Sequence, residues 1–482
     1  MATPSGAWYR RRVVTPTARR ATIAALVALA ACGRKEAPLV TTPPGASRSI
    51  VLRDVRVFDA PHATLAAGAS DVVVKDGTIA AIAPRGVSAP GIPEVDGHGG
   101  VLLPGLVDVH AHTGSTPAPP WTVGVLPDVT DNLGAFLYAG VTTVLDLGNL
   151  TPAVFGERTR VATHADLGPR VYAAGPVFTA VGGHPAEVLR AWLPWYLRWY
   201  VVSRATRELA TPDDGRRAVE ALLPEHPDIL KLAIDTGARD DTPRLDIATI
   251  AAVTAAGHAG GVRSIAHIGT SAEAIDAVRG GVDALAHAPW REEISDEAVT
   301  VIAAERTPVV VTLAVWDASA RALKRVADLL PIERQLARPD VLTALFATPP
   351  PPTDEMAAFA RVAAAAHEAR RRNVAKLRAA GVVVLAGSDG CNYAQFPGAG
   401  LHLELAKLVD AGLTPAEALR AATWDNARFL AGDAADYGEI AVGRRADLLL
   451  VAGDPTTNIA DLANISQLVV DGTLLERHAR PN

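Results

Sequence analysis

Short runs of apolar and β-branched residues predict strands near both ends of the chain. Residues 72–75 and 78–79 flank the pair Asp76-Gly77, and residues 468–470 and 473–475 flank Asp471-Gly472. An Asp-Gly pair between two such runs is a strong signal for a tight β-hairpin. Isolated hairpins are marginally stable in water, so we expect the two terminal sets to form one small β-sandwich domain, from residues 49–100 and 436–482.

Between residues 101 and 435, β-branched runs alternate with alanine-rich stretches that favour helices. The eight runs are residues 101–109, 141–147, 170–174, 228–234, 262–267, 281–287, 308–313 and 382–388. Eight strands alternating with helices are the pattern of a (β/α)8 TIM barrel. The predicted fold class is therefore α/β, with a barrel at residues 101–435 and an open doubly wound sheet as the alternative.

Composition and charge exclude several classes of protein. The 482 residues are 49% apolar and 20% charged, which is typical of a globular protein, and two cysteines are too few for a disulfide scaffold. The net charge is −6, and the folded region contains no basic run long enough to track a phosphate backbone. No nucleic-acid partner is expected.

The first 31 residues have the features of a signal peptide. Five arginines precede an eleven-residue apolar run, residues 21–31, which is too short to span a bilayer. The run leads into the sequence LAAC, ending at Cys32, which resembles the bacterial lipobox; an ordinary signal peptide with a chance cysteine is the alternative. Residues 32–48 are predicted to be a flexible tether. We expect an exported protein, lipid-anchored through Cys32 at the bacterial cell envelope.

Metal-binding side chains recur where the predicted barrel strands end. His110 and His112 close the first strand, and their spacing places both imidazoles on one face. His267, His287 and Asp389 stand at the ends of three later strands. The active site of a barrel lies at these strand ends, so a shared site is favoured over unrelated core histidines. Such ligands favour zinc or a similar divalent metal.

Lys231 lies on an apolar strand of the predicted barrel. A buried lysine can have its pKa lowered enough to hold a neutral amine, which can add carbon dioxide to form a carbamate. The two oxygens of a carbamate suit two metal ions about 3.5–4 Å apart. An ordinary strand-end lysine is the alternative interpretation.

Several of these segments together resemble the amidohydrolase superfamily. They are PGLVDVHAH at residues 104–112, the strand with Lys231, His267, His287, and AGSD at residues 386–389. The segments LHLEL at residues 401–405 and GRRADL at residues 443–448 extend the similarity. The branch indicated is the imidazolonepropionase-related and Xaa-Pro dipeptidase group, and Lys231 favours its dipeptidase-like, two-metal side.

The resemblance implies a complete binuclear site. It places one divalent metal ion on His110, His112 and Asp389, and a second on His267 and His287. Zinc is the expected metal, and carbon dioxide, held as a carbamate on Lys231, would bridge the two ions. The resemblance further implies a metal-bridging hydroxide as the nucleophile and Asp389 as the group that takes its proton. For Asp108, two roles are open: orienting a ligand imidazole, or a structural carboxylate near the barrel floor.

Two residues are candidates for polar contacts with substrate. His184 ends the segment VGGH, which resembles a Gly-Gly-His segment whose histidine faces the substrate carbonyl; an ordinary loop histidine is the alternative. Arg239, just beyond the fourth strand, is a candidate partner for a substrate carboxylate, and a solvated loop arginine is at least as good an interpretation.

An aromatic segment follows His184. Trp192, Trp195 and Trp199 have the spacing of one helical face, and Tyr196 and Tyr200 lie in the same segment. Such a stripe is usually a packing surface. The other interpretation is that Trp195 and Tyr196 line an apolar substrate pocket.

These observations predict a metal-dependent amidohydrolase that cleaves an amide bond in a dipeptide or an N-acyl amino acid. One alternative is a hydrolase of a lactone, carbamate or cyclic amide at the same site. Another is a catalytically inactive binding protein on the same fold, which the complete ligand set opposes. The expected partners are a small-molecule or dipeptide substrate and, through the lipid anchor, a membrane. A homo-oligomer is compatible with this architecture.

Overall fold

The computed structural model describes residues 37–122, 124–351 and 353–481. Strands from both ends of this region form one ten-stranded sheet. Its order is Val40–Thr41, Thr473–Arg477, Ile465–Val470, Leu448–Val451, Val101–Pro104, Ile50–Asp59, Ser70–Lys75 and Thr78–Pro84, and the strands Thr64–Leu65 and Glu94–Asp96 pair with Ile50–Asp59. The two terminal sets meet where Val101–Pro104 pairs antiparallel with Leu448–Val451. The predicted pairing of the terminal strands is confirmed.

Both predicted hairpins are present, and their turns pack against each other. Asp76 and Gly77 have φ of 49° and 84°, and Asp471 and Gly472 have φ of 50° and 75°. Positive φ at both central residues defines a type I′ turn, which matches the twist of the flanking strands. A Cβ on Gly472 would lie 2.6 Å from Cα of Gly77. Glycine is therefore required at this contact.

We expect Gly472→Ala to lower the free energy of unfolding by about 2–4 kcal/mol, because it combines backbone strain with a steric clash. Gly443→Ala is a matched control, since Gly443 has φ of 87° but nothing within 4 Å of an added Cβ. Strain alone should cost this control about 1 kcal/mol. Urea unfolding of both variants measures the difference, and equal losses would show that the contact between the turns contributes nothing.

The central region is a parallel barrel. Three strands, Leu106–Ala111, Val141–Asp146 and Arg170–Ala173, form one parallel sheet. The second follows the order Thr206–Leu209, Val177–Ala180, Ile229–Ala233, Arg263–His267, Ala284–Ala286, Val309–Val310 and Val384–Leu385. Backbone hydrogen bonds join the two sheets, from Asp228 to the Ala173 carbonyl at 3.0 Å and from Asp389 to the His110 carbonyl at 2.7 Å. Two of these ten strands, Val177–Ala180 and Thr206–Leu209, lie in the connection after Arg170–Ala173. The other eight, numbered in chain order, correspond to the eight predicted strands, and the predicted TIM barrel is confirmed.

The first predicted barrel strand is wrong in one respect. Residues 101–109 do not form a single strand: Val101–Pro104 belongs to the terminal sheet and Leu106–Ala111 to the barrel. Both strands are buried along their whole length, so the apolar run continues through the break and its periodicity does not reveal it.

Part of the predicted tether is a strand. Val40–Thr41 lies within residues 32–48, yet it pairs with Glu476 and Arg477, and Val40 is buried.

Helices connect the barrel strands and build the long connections after the third and seventh. Their bounds are Val129–Tyr138, Ala153–Ala162, Ala186–Trp192, Trp195–Ala205, Pro212–Leu222, Ile247–Ala259, Ser271–Arg279, Asp296–Ala304, Leu313–Leu323, Pro331–Leu336, Pro339–Ala347, Asp354–Ala365, His367–Ala379, Ala399–Asp410, Pro415–Arg420 and Asn426–Ala431. Short 3-10 turns cover Leu223–Glu225, Gly432–Ala434 and Ile459–Ala463, and Ala421–Asp425 is a π-turn. Among the described residues, no helix combines the length and apolar character needed to cross a membrane.

Candidate metal centre

His110, His112 and Asp389 meet where the first and eighth barrel strands adjoin. Nε2 of His112 lies 3.0 Å from Oδ1 of Asp389, and Nε2 of His110 lies 3.5 Å from the same oxygen. Nδ1 of His112 donates to the Gly148 carbonyl at 3.1 Å. Because a carbonyl only accepts, the proton of a neutral His112 is on Nδ1, which leaves Nε2 as the ligand nitrogen.

The imidazole rings of His267 and His287 also lie close together. Nε2 of His267 donates to Oδ2 of Asp235 at 3.1 Å, and its Nδ1 lies 2.9 Å from Nε2 of His287. Nδ1 of His287 contacts the hydroxyl of Thr312. Two imidazole nitrogens at this separation can share one metal ion at the usual distance of about 2.0–2.1 Å.

Lys231 is the third residue of the strand Ile229–Ala233, whose side chains are all buried. It is only 3% exposed, and its Nζ has no hydrogen-bond partner among the described residues. Burial lowers the pKa of Lys231 to about 7. A large fraction of this amine is therefore neutral at neutral pH, as addition of carbon dioxide requires.

The electrostatics of the cluster suit a cation. Burial holds the pKa of His110 and His287 well below the usual value, so both imidazoles are neutral at neutral pH. Burial alone would raise the pKa of Asp389, but His110 and His112 outweigh it and keep this carboxyl ionised. Ligand atoms of His110, His287 and Asp389 lie within 4.8 Å of one another. Neutral imidazoles, a carboxylate and an unpartnered buried lysine fit a divalent transition metal.

His184 joins the cluster from the connection after the third strand. Its ring stacks on that of His267, with centroids 4.9 Å apart, and its Nδ1 lies 3.0 Å from Oε1 of Glu187. Burial would lower the pKa of His184, but the hydrogen bond to Glu187 raises it above the usual value. The structure thus brings seven of the predicted site residues together: His110, His112, His184, Lys231, His267, His287 and Asp389.

Asp235 is a positioning residue that the sequence analysis missed. Besides His267, its Oδ2 accepts a hydrogen bond from Nε1 of Trp290 at 2.9 Å, and Arg291 lies 3.5 Å from its Oδ1. These contacts fix the carboxylate that orients the His267 ring. The sequence contained one signal for this role. Asp235 lies four residues after Lys231, and side chains separated by an even number of residues along a strand point to the same face.

We expect Asp235→Asn to weaken metal binding by about 10–100-fold, because the uncharged amide holds the His267 tautomer less firmly. Asp240→Asn is the matched control, since Asp240 also pairs with Arg291 but its side chain is 77% exposed. Metal affinity is measured by competition with a chelating dye. Equal affinities for the two variants would show that Asp235 does not position His267.

The Asp108 carboxylate accepts hydrogen bonds from backbone N–H groups rather than from an imidazole. Its Oδ1 accepts hydrogen bonds from the backbone N–H of His110 at 3.1 Å and of Ser388 at 3.0 Å, and its Oδ2 accepts one from the Ser388 hydroxyl at 2.5 Å. Burial raises the pKa of Asp108 to about 6. These contacts join the first and eighth strands beside the cluster, so the structural interpretation of this carboxylate is favoured.

The other predicted substrate contacts have exposed side chains. Trp195 and Tyr196 are 79% and 61% exposed, and they contact each other. Arg239 forms an ion pair with Asp241 at 2.8 Å, and both side chains are more than half exposed. Cys32 lies outside the described residues.

The aromatic stripe does not form one continuous helix. The first helix ends at Trp192, and a second begins at Trp195 after Leu193, which is extended with ψ of 144°. Leu193 precedes Pro194, and the proline ring disfavours helical conformation in the residue before it. The helical spacing from Trp192 to Trp199 is therefore interrupted.

A different aromatic group lies against the cluster. The ring of Trp316 is 5.7 Å from that of His287 and stacks on Trp290 at 4.2 Å, and Phe359 lies 6.1 Å from Trp316. Trp316 is 7% exposed, and its Nε1 has no hydrogen-bond partner in the part of the chain that the structure describes. Trp316 and Phe359 belong to the long connection after the seventh strand, which thus places an apolar surface beside the candidate metal ligands.

A known protein family matches most of the chain. Residues 101–475 match the profile of the amidohydrolase family. The chain therefore belongs to the amidohydrolase family and is a hydrolase that acts on carbon–nitrogen bonds. The resemblance identified from the sequence is confirmed.

Solved structures share the fold over most of the chain. A prolidase complexed with N-methylphosphonate-L-proline has 23% identity and a TM-score of 0.72, covering 89% of this chain and 100% of the prolidase. A Xaa-Pro dipeptidase with bound methionine has 20% identity and a TM-score of 0.71, with coverages of 88% and 99%. The ochratoxinase of A. niger has 18% identity and a TM-score of 0.66, with coverages of 89% and 96%. No curated protein matches the chain in sequence.

Proposed function

We propose that this protein is a metal-dependent amidohydrolase that cleaves an amide bond in a dipeptide or an N-acyl amino acid. The observation that carries the proposal is the buried, unpartnered Nζ of Lys231 among converging histidines. His110, His112 and Asp389 would hold one divalent ion, and His267 and His287 a second. A carbamate on Lys231 would join the two sets, with zinc as the expected metal.

Each side chain then has a distinct task. Divalent ions held by these residues would supply Lewis acidity for the scissile carbonyl and would lower the pKa of a bound water to about 7. Asp389 takes a proton from the attacking water and passes it to the leaving amine. Glu187 accepts a hydrogen bond from Nδ1 of His184 and raises its pKa, so the protonated ring can also donate from Nε2 to the substrate carbonyl oxygen. The ring of Trp316 packs against the apolar part of the substrate.

A substrate panel tests the reaction. Zinc-loaded protein is assayed with Xaa-Pro and other dipeptides, N-acyl amino acids, lactones, carbamates and cyclic amides. We expect the highest kcat/KM for a dipeptide or N-acyl amino acid with an apolar side chain, and the prolidase and dipeptidase among the similar structures support this choice. A tenfold preference for lactones, carbamates or cyclic amides over every open-chain amide would overturn the amide assignment and leave the metal site standing.

We also propose that the protein is exported and carries a lipid on Cys32. Wild-type protein in a bacterial host should incorporate a fatty-acid analogue and fractionate with membranes, because several acyl chains on one cysteine give stable attachment. Cys32→Ser should incorporate no label, whereas Cys391→Ser, which changes the other cysteine, should keep it. Absence of label from the wild type would contradict the proposal.

A further inference from the structure

The helix Trp195–Ala205 exposes an unusual set of side chains. Trp195 and Trp199 are 79% and 78% exposed, and Tyr196 and Tyr200 are 61% and 47% exposed. These four are the exposed aromatic residues of the described part of the chain, and they lie within six consecutive positions. Val202 is the one buried side chain of this helix. Six positions of the surface thus carry a concentrated apolar patch.

Arginines lie on this helix and beside it. Residues 188–207 contain four of them, of which Arg190 forms an ion pair with Glu208. Arg198 donates to the Leu193 carbonyl at 2.9 Å, and the guanidinium of Arg204 lies 4.0 Å from the centre of the Tyr200 ring. These two arginines therefore contact a carbonyl and a ring rather than a carboxylate. Their positive charges can interact with an anionic surface.

From this arrangement we infer that the helix Trp195–Ala205 docks on the surface of an anionic lipid bilayer. Tryptophan and tyrosine favour the membrane interface, where the ring is apolar and its polar atom stays hydrated. Arginines beside them add attraction to anionic headgroups. This inference concerns where the enzyme works and goes beyond its proposed reaction.

Two observations favour a bilayer over a protein partner. The patch spans six residues, whereas a stable protein interface takes about 20–30 residues from each side. The sequence also places Cys32 only seven positions before Leu39, where the compact unit begins, and an extended chain of that length reaches about 25 Å. A lipid on Cys32 would keep the compact unit close to the bilayer.

The test uses a chain that begins at Gly33, which keeps the whole compact unit Leu39–Asn482 and cannot be acylated at Cys32. Its sedimentation is measured with vesicles of phosphatidylcholine and phosphatidylglycerol at 7:3, and with vesicles of phosphatidylcholine alone. We expect binding to the anionic vesicles, with quenching of tryptophan fluorescence by brominated lipid. The double variant Trp195→Ser/Trp199→Ser should lower the partition coefficient about tenfold or more, because two rings no longer enter the interface.

The matched control is Leu126→Ser/Val442→Ser, which changes two exposed apolar residues outside the helix and should leave vesicle binding unchanged. Arg198→Gln/Arg204→Gln should weaken binding to the anionic vesicles but not to the neutral ones. Equal thermal unfolding temperatures show that all variants fold. Absence of vesicle binding overturns the inference, as does a dimer that Trp195→Ser/Trp199→Ser dissociates without vesicles. A change in KM of that variant with unchanged vesicle binding would also overturn it, because the helix would then line the substrate site.

Discussion

Lys231→Ala is expected to abolish hydrolysis and to lower the metal content from two ions to about one per chain. The reason is that carbon dioxide can convert the amine of Lys231, which lies near His110, His267 and His287, into a two-oxygen ligand. Its Nζ is buried and has no hydrogen-bond partner within the described residues. Removing the side chain takes this ligand away and leaves a cavity in its place. Elemental analysis and a kinetic assay of the same preparation measure both losses.

Added short carboxylic acids should partly restore the activity of Lys231→Ala, because a free carboxylate can occupy the space of the carbamate. Lys376→Ala is the matched control: this surface lysine pairs with Glu293 at 3.1 Å, and its removal should leave activity and metal content near those of the wild type. Full activity of Lys231→Ala, or one metal ion in the active wild type, would disprove the bridging role.

Asp389→Asn is expected to lower kcat by about 10²–10⁴-fold, the usual contribution of a general base. The amide keeps an oxygen for a metal ion but cannot take up the proton of the attacking water. The change in KM should be much smaller, since the groups proposed to contact substrate, His184 and Trp316, are untouched. Steady-state kinetics on protein of measured metal content separates the two parameters.

Metal content provides the internal control for Asp389→Asn. If the variant retains its metal and is still within a few-fold of wild-type kcat, another group accepts the proton. If KM rises as steeply as kcat falls, Asp389 acts in binding rather than in proton transfer.

Strand periodicity and residue spacing were sufficient to predict which candidate metal ligands come together. His110 and His112 share one face because side chains alternate along a strand, and their strand opens a parallel barrel. In such a barrel all strand ends meet at one face, so His267, His287 and Asp389 could be placed beside them without coordinates. The two Asp-Gly turns could be predicted for a similar local reason, since few residue pairs accept two consecutive positive φ angles.

The substrate side could not be predicted in this way. Trp195 and Tyr196 have the composition of a pocket wall, but Pro194 separates their helix from the preceding one and they lie exposed. Trp316, which contacts the His287 ring, gives no signal in the sequence beyond its place in a long connection. Connections have no fixed periodicity, so the direction of their side chains depends on packing against distant residues.

The sequence by itself therefore determined the barrel, the terminal hairpins and the cluster of candidate metal ligands, because each follows from local backbone geometry repeated along the chain. Tertiary structure alone decided which groups orient those ligands and which surfaces face solvent. Asp235 accepts a hydrogen bond from His267, which lies on the neighbouring strand. Asp108 accepts one from Ser388, which is 280 positions away in the sequence. Such contacts depend on how strands and connections meet in space, and no short-range pattern records that arrangement.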